Sequence, residues 1–206
     1  MTLFDDFLAF AAKREFTTIV ANPPWVVSGK TGIAEDREYS RLRYPGVRLE
    51  ELLCLPVFTA AAENAHLYLW APSWLLVEGL QVMERWGFQY KTALLWEKVR
   101  SDGATDGSCT GYYFRNATEI LLFGVRGTLR TLSPARRQIN VLRAPKLSQN
   151  RKPDDAYALI ERCSPGPYLE LFSAAARDGW ACWCNQADDG ADQPTRLRRK
   201  QLTLEL

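Results

Sequence analysis

The chain has 206 residues, 47% of them apolar, and 26 Lys and Arg against 24 Asp and Glu leave it at +2. That size suits one domain with one sizeable core, and the near-neutral balance gives no bulk-charge argument for nucleic acid. One histidine and five cysteines without paired ligand spacing argue against a zinc site, and no apolar run reaches the roughly 18 residues of a membrane span, so we expect a soluble, cytoplasmic protein with reduced thiols and no metal.

Residues 2 to 13 read as a short amphipathic helix with Asp5 and Asp6 in its first turn. Thr17 to Ala21 is a β-branched run that stops at Asn22-Pro23-Pro24-Trp25, which predicts a buried strand whose carboxyl end is locked into a rigid turn. Residues at such tips face the ligand crevice of an open α/β sheet. There the side-chain oxygen of Asn22 and the carbonyl of Pro23 could accept both protons of an exocyclic amine, and Trp25 could stack on its ring. By itself Asn-Pro-Pro is equally a stiff loop after a core strand, with Trp25 packed upon it.

From Val26 to Tyr44 the periodicity disappears around Gly29, Lys30, Gly32 and Tyr39, as in a functional loop. Leu49 to Ala62 reads as helix interrupted at Pro56. Ala65 to Trp70 reads as a buried strand containing a structural His66, and Ser73 as the cap of a helix that ends at Gly87. Phe88 to Lys98 is a third strand, followed by a polar excursion from Arg100 to Thr110. The chain returns through Gly111 to Asn116 into a strand from Glu119 to Val125, and these two strands are expected as an antiparallel edge pair.

Arg126, Arg130, Arg136, Arg137, Arg143, Lys146, Arg151 and Lys152 then follow without one acidic residue between them. Such a stretch suits a phosphate backbone, or is a solvated basic loop. Pro153, Asp154 and Asp155 open a helix with Tyr157, Leu159 and Ile160 on its apolar face, and Ser164-Pro165-Gly166-Pro167 stops it. Tyr168 to Phe172 and Gly179 to Cys184 are further strands, before a polar tail carrying Arg196, Arg198, Arg199 and Lys200. The alternation predicts an α/β fold with a largely parallel sheet and helices on both faces.

Several segments agree, in order, with one family. They are Asn-Pro-Pro-Trp at 22 to 25, His-Leu-Tyr-Leu-Trp at 66 to 70, Trp-Gly-Phe-Gln-Tyr at 86 to 90 and Trp-Glu-Lys at 96 to 98. Gly-Tyr-Tyr-Phe-Arg-Asn-Ala-Thr-Glu at 111 to 119, Leu-Leu-Phe-Gly-Val-Arg-Gly at 121 to 127, Arg-Lys-Pro-Asp at 151 to 154 and Glu-Leu-Phe at 170 to 172 follow, the last with Gly179-Trp180 and Asn185-Gln186 behind it. With these the chain, over about residues 15 to 187, resembles the MT-A70 family of N6-adenine methyltransferases, in a stand-alone bacterial or phage form. The resemblance implies a single-domain, Rossmann-like class I methyltransferase fold over residues 1 to 187, with a basic tail over 188 to 206. It implies S-adenosylmethionine as cofactor and a permuted order, the catalytic motif preceding the cofactor motif.

By matching positions, Asn22, Pro23, Pro24 and Trp25 would form the catalytic motif. Lys152, Glu170, Phe172, Asn185 and Gln186 would hold the donor, with Asp5 loosely assigned beside them. Candidate substrate contacts are Lys30 and Tyr39 in the first loop, Arg115, Asn116 and Glu119 in the second, and Arg136, Arg137 and Arg151 in the basic stretch. Two positions depart from the family pattern: Asn22 stands where Asp is commonest, and Ser173 to Ala176 replace a run that usually holds an Arg. The expected activity is N6 methylation of adenine in a nucleic acid, DNA rather than RNA because no appended RNA-binding module is seen, with a homodimer or heterodimer plausible. The alternative is a catalytically silent nucleic-acid-binding partner. A glutamine methyltransferase is a third reading, opposed by the absence of a Gly-rich donor loop in the 21 residues before Asn22.

Overall fold

The β-branched run that ends at Asn22 becomes the middle of a seven-stranded sheet. The structure is a computed structural model that describes residues 3–12, 14–26, 46–108, 113–133, 137–147, 151–173 and 176–184. Its elements are α1 (Leu3–Ala11), β1 (Phe16–Ala21), β2 (Trp25–Val26), β3 (Val47–Arg48), α2 (Leu49–Cys54), β4 (Ala61–Ala71), α3 (Leu76–Arg85), β5 (Gln89–Val99), β6 (Thr118–Arg126), β7 (Val141–Pro145), α4 (Asp154–Cys163), β8 (Tyr168–Leu171) and β9 (Trp180–Trp183), with 3-10 turns at Val57–Thr59 and Ser73–Leu75.

The sheet order is β7-β5-β6-β4-β1-β8-β9, with β2 and β3 forming a separate short pair. Within the seven-stranded sheet, β6 runs antiparallel to both of its neighbours and the other pairings are parallel. The carboxyl ends of β1, β4, β5, β7, β8 and β9 therefore meet the amino end of β6 along one edge. The two motifs furthest apart in sequence become neighbours there, because β1 pairs directly with β8.

Two cores flank the sheet, as an α/β chain with helices on both faces requires. On one face Phe7 of α1, Leu52 of α2 and Met83 of α3 pack with Ile19, Leu67, Leu69 and Leu122. On the other, Tyr157 and Ile160 of α4 cover Val20, Tyr68, Trp70, Trp96 and Leu121. Helix α3 lies close to the sheet because each side of the contact has a glycine: a Cβ on Gly124 of β6 would stand 2.6 Å from the Met83 sulfur, and one on Gly79 of α3 would stand 2.8 Å from Leu122. Each fully buried leucine or aromatic side chain contributes about 1.5–3 kcal/mol.

Three sequence expectations are corrected. The β5–β6 pair is antiparallel but interior, because the basic stretch supplies β7, which pairs with β5 from Leu95 to Val99 and takes the edge. Strand β4 begins at Ala61 rather than Ala65, since Pro56 ends α2 early and a single 3-10 turn delivers the chain to the sheet. Ser73 does not cap α3: it lies in a 3-10 turn begun at Pro72, and the helix starts at Leu76 without a side-chain cap.

His66 is fully buried and structural. Its Nε2 donates to the Leu129 carbonyl (3.3 Å), which leaves Nδ1 to accept from the Ser164 hydroxyl (2.7 Å). The Tyr68 hydroxyl in turn donates to Ser164 Oγ (2.8 Å). Burial holds the His66 imidazole below its usual pKa, against the raising effect of the Leu129 carbonyl. This network ties β4 to the end of α4 near the sheet's amino edge.

Candidate active site

The Asn-Pro-Pro-Trp turn is braced from three sides. The Asn22 N–H donates to Leu171 O (3.2 Å) on β8, and Val47 N–H donates to Pro24 O (2.8 Å). Within the turn, Trp25 N–H donates to Pro23 O (2.9 Å), closing a three-residue turn. The indole N–H of Trp25 donates to Trp70 O (3.0 Å) on β4. Trp25 is only 3% exposed, with its ring in the core. Its expected role as a stacking face for a base is therefore corrected: Trp25 fastens the turn to β4. Asn22 remains half-exposed and has the strand parity of Val20, which faces α4. The Pro23 carbonyl keeps a second lone pair beyond the bond to Trp25.

Beside this turn, the carboxyl end of β5, the amino end of β6 and the segment before α4 bring three charges together. Lys98 Nζ lies 2.7 Å from Glu119 Oε1, and Lys152 Nζ bonds the other oxygen, Oε2. The side chains are 8% (Lys98), 9% (Lys152) and 21% (Glu119) exposed, so two ammoniums and one carboxylate are held almost out of water with a net charge of +1. Burial favours the protonated carboxyl, but the Lys152 and Lys98 ammoniums outweigh it and hold Glu119 down to about 2. Lys152 sits over the rings of Trp70 (5.1 Å) and Trp96 (5.9 Å), and Lys98 over Trp96 (5.3 Å). The indole N–H of Trp96 donates to Ala144 O (2.9 Å), whereas that of Trp70 is buried with no acceptor among the described residues.

On the other side of β1, the tip of β8 supplies Glu170 and Phe172. Glu170 is 5% exposed and accepts a hydrogen bond from the Tyr157 hydroxyl of α4. Burial pushes its carboxyl up, opposed by hydrogen bonds from Tyr157 and Ser173 and by the Arg177 charge. Burial, together with the Glu170 charge, raises the Tyr157 phenol in turn. The Arg177 guanidinium stacks over the Tyr157 ring at 3.7 Å and donates to Asp154 (2.7 Å). Phe172 adopts φ 63°, a left-handed conformation rare for an aromatic residue and worth about 1–3 kcal/mol of strain. Its N–H donates to Trp183 O (2.7 Å), and its ring stands edge-on to Trp183 at 5.4 Å.

Among the expected site residues, Asn22, Lys152 and Glu119 come to the carboxyl edge on the α4 side, and Glu170 to the adjoining tip of β8. Asp5 is exposed on α1; its neighbour Asp6 accepts from the Trp183 indole (2.8 Å). Arg115 is exposed and donates to Gly107 O (3.3 Å), Asn116 is half-buried, and Arg137 is exposed. Tyr113 and Phe114, just ahead of Arg115, are 86% and 87% exposed. Lys30, Tyr39, Arg136, Asn185 and Gln186 lie outside the described residues.

The basic stretch is partly paired. Arg143 pairs with Glu97 (3.0 Å), Arg151 with Asp154 (2.8 Å) and Lys152 with Glu119, while Arg126 donates to Phe58 O (2.8 Å). Sequence reasoning missed Lys98, Tyr157, Trp70 and Arg177 as parts of the site. Lys98 had one usable signal, a lysine ending an aromatic strand. A groove of about 640 Å³ between β7 and α4 is lined by none of these residues. Among the described residues no group of His, Cys, Asp and Glu could hold a metal ion, and no helix is long and apolar enough to cross a membrane.

Residues 16–186 match the profile of a protein family described as MT-A70. The chain is 26% identical over 197 residues to the type II methyltransferase M.MunI of Mycoplasma sp, a match covering 88% of this chain and 80% of that protein. It is 27% identical over 180 residues to a putative N(6)-adenosine-methyltransferase MT-A70-like protein of Medicago truncatula, covering 84% of this chain and 26% of that one. To the N(6)-adenosine-methyltransferase catalytic subunit METTL3 of Homo sapiens it is 26% identical over 188 residues, covering 88% of this chain and 30% of that subunit. The chain thus spans less than a third of the length of these two adenosine methyltransferases.

Proposed function

This chain belongs to the MT-A70 family, and we propose that it transfers a methyl group from S-adenosylmethionine to the N6 amino group of adenine in nucleic acid, DNA rather than RNA. The observation that carries this reading is the Asn22-Pro23 turn, clamped by β8, β3 and β4, with Lys152, paired to Glu119, over the ring of the Trp70 that Trp25 grips. DNA is preferred because the match takes in 80% of the type II methyltransferase but under a third of the adenosine methyltransferases.

The residues present fit the donor chemically. Two buried ammoniums, Lys98 and Lys152, suit a carboxylate, the Trp70 N–H has no acceptor among the described residues, and Glu170 is a buried acceptor beside β1. Lys152 would hold the donor's carboxylate and Glu170 its polar nucleoside end. S-adenosylmethionine supplies, when bound, an electrophilic methyl group. The Asn22 oxygen and the second lone pair of the Pro23 carbonyl accept the two amine protons of the target adenine. That draws the nitrogen lone pair out of ring conjugation and fixes its direction, so the catalytic contribution of the turn is orientation and polarisation. The base must leave its stack to reach this position, and we assign the contacts to its neighbours to Tyr113, Phe114 and Arg115, which are exposed ahead of β6.

The test is methyl transfer from labelled donor to duplex DNA, single-stranded DNA and RNA pools, with the product digested to nucleosides. N6-methyladenine is expected in DNA, falling about 100-fold in Asn22→Ala. No transfer to any pool, together with no donor binding by calorimetry, would show instead a silent nucleic-acid-binding partner.

A further inference from the structure

Phe114 is the most exposed large apolar side chain among the described residues, at 87%, and belongs to neither core. A single apolar residue in water is ordinary; what distinguishes this one is its footing. The excursion between β5 and β6 is braced at its root. Ala117 O accepts from Lys98 N–H (2.8 Å), Lys98 O from Asp106 N–H (2.7 Å) and the Glu97 carboxylate from the Thr105 hydroxyl (2.7 Å). The Arg115 guanidinium, next to Phe114 in sequence, donates to Gly107 O (3.3 Å) and so joins the returning limb to the outgoing one. A ring held out on a braced loop has already lost much of the freedom that ordering on binding would cost.

The excursion stands on the edge of the sheet where the proposed chemistry lies. Ala21 of β1 is level with Leu69 of β4, and Leu69 with Leu122 of β6. Asn22, just past Ala21, is therefore two strand spacings, about 10 Å, across the sheet from β6. Phe114 precedes the first residue of β6 by four positions. An adenine that leaves a duplex to reach Asn22 opens a gap in the stack, and an apolar side chain inserted there replaces part of the lost stacking. Phenylalanine suits that place because it has a flat face and no polar atom to satisfy, whereas the hydroxyl of the adjoining Tyr113 would need a partner inside the stack.

We propose that Phe114 is a wedge that takes the place of the target adenine in duplex DNA, so that reaction with paired adenines depends on this ring far more than reaction with unpaired ones. This rests on the nucleic-acid reading above and adds to it the form of the substrate, a duplex, and the residue that holds it open.

The test is kcat/KM for methyl transfer to a mixed-sequence duplex DNA pool and to the corresponding single-stranded pool, with wild type, Phe114→Ala and Phe114→Leu. Phe114→Ala is expected to lose at least about tenfold more on the duplex than on single strands, and Phe114→Leu, which keeps an apolar wedge, to stay within about threefold of wild type on both. Both variants should melt with wild type, since the side chain is exposed. Equal losses on the two pools, or an unchanged duplex rate, overturn the inference; equal losses with a changed sedimentation coefficient assign the ring to contact between copies of this chain instead. Wild type that methylates only single strands or RNA also overturns the wedge and leaves the methyltransferase reading intact. Wild type that methylates no pool overturns that reading and the wedge with it.

Discussion

Glu170 is a carboxyl group held at 5% exposure beneath α4, where the Tyr157 hydroxyl donates to it. Burial raises its pKa from the ordinary 4.5, so folding strengthens its hold on a proton. The unfolded chain releases that proton more readily, and stability therefore falls as the pH rises above about 4.5 toward the folded value, remaining lower beyond it. Glu170→Gln keeps an acceptor for Tyr157 without the charge. Its melting temperature at pH 8 is expected to exceed that of wild type by roughly 2–4 °C, with little difference at pH 4, while donor binding weakens. Thermal melts at the two pH values, alongside calorimetry, check this; a variant less stable than wild type at pH 8 would sink it. Gain of stability with loss of binding is the behaviour of a group kept for function. Phe172, strained at φ 63° on the next position but one, belongs to the same tip.

At the scale of elements, the sheet is joined to α4 by Ser164 at the helix's end. Ser164 is fully buried and is the shared partner of His66 and Tyr68. Ser164→Ala leaves the phenol without its acceptor and the imidazole Nδ1 without its donor, which should cost about 2 kcal/mol. At the size of this chain that is roughly a 4–8 °C fall in melting temperature. The network sits near the amino edge and the candidate site on the carboxyl edge, so donor affinity measured well below the melting temperature should be unchanged; a matching loss of affinity would contradict the separation. Elements were legible where their signals are local. The proline and acidic pair that open α4, and the proline pair that closes β1, act within a few residues of themselves. Strand β7 was not legible, because five residues containing Arg143 and Pro145 carry no period of their own and become a strand only when β5 offers an edge.

For the whole molecule, the near-neutral total conceals how the charges are distributed in space. The basic run from Arg126 to Lys152 has its counter-charges elsewhere in the chain, in Glu97, Glu119 and Asp154. Arg143 should therefore contribute little to nucleic-acid binding, and Arg137 and Arg115, both exposed, should contribute more. Measured as affinity against salt concentration, Arg137→Ala and Arg115→Ala are each expected to lower the steepness of the dependence by about one charge, and Arg143→Ala to leave it within error. An Arg143 effect equal to theirs would mean that the pair with Glu97 opens on binding. The expected homodimer or heterodimer belongs to this scale as well, and sedimentation in the same salt series would read it directly.

The sequence by itself determined the α/β class, the rigid turn at Asn22, the start of α4 and the family, because proline geometry, β-branched runs and ordered motifs are properties of neighbouring residues. Asn22, Glu119, Lys152 and Glu170 could be named from those motifs. Only the tertiary structure decided that Trp25 is a buried clamp, that β7 closes the sheet, that much of the basic run is paired, and that Lys98 shares Glu119 with Lys152. Each of these depends on which distant strand lies alongside, and a charge or a ring acquires its role from the partner that pairing brings within a few ångströms.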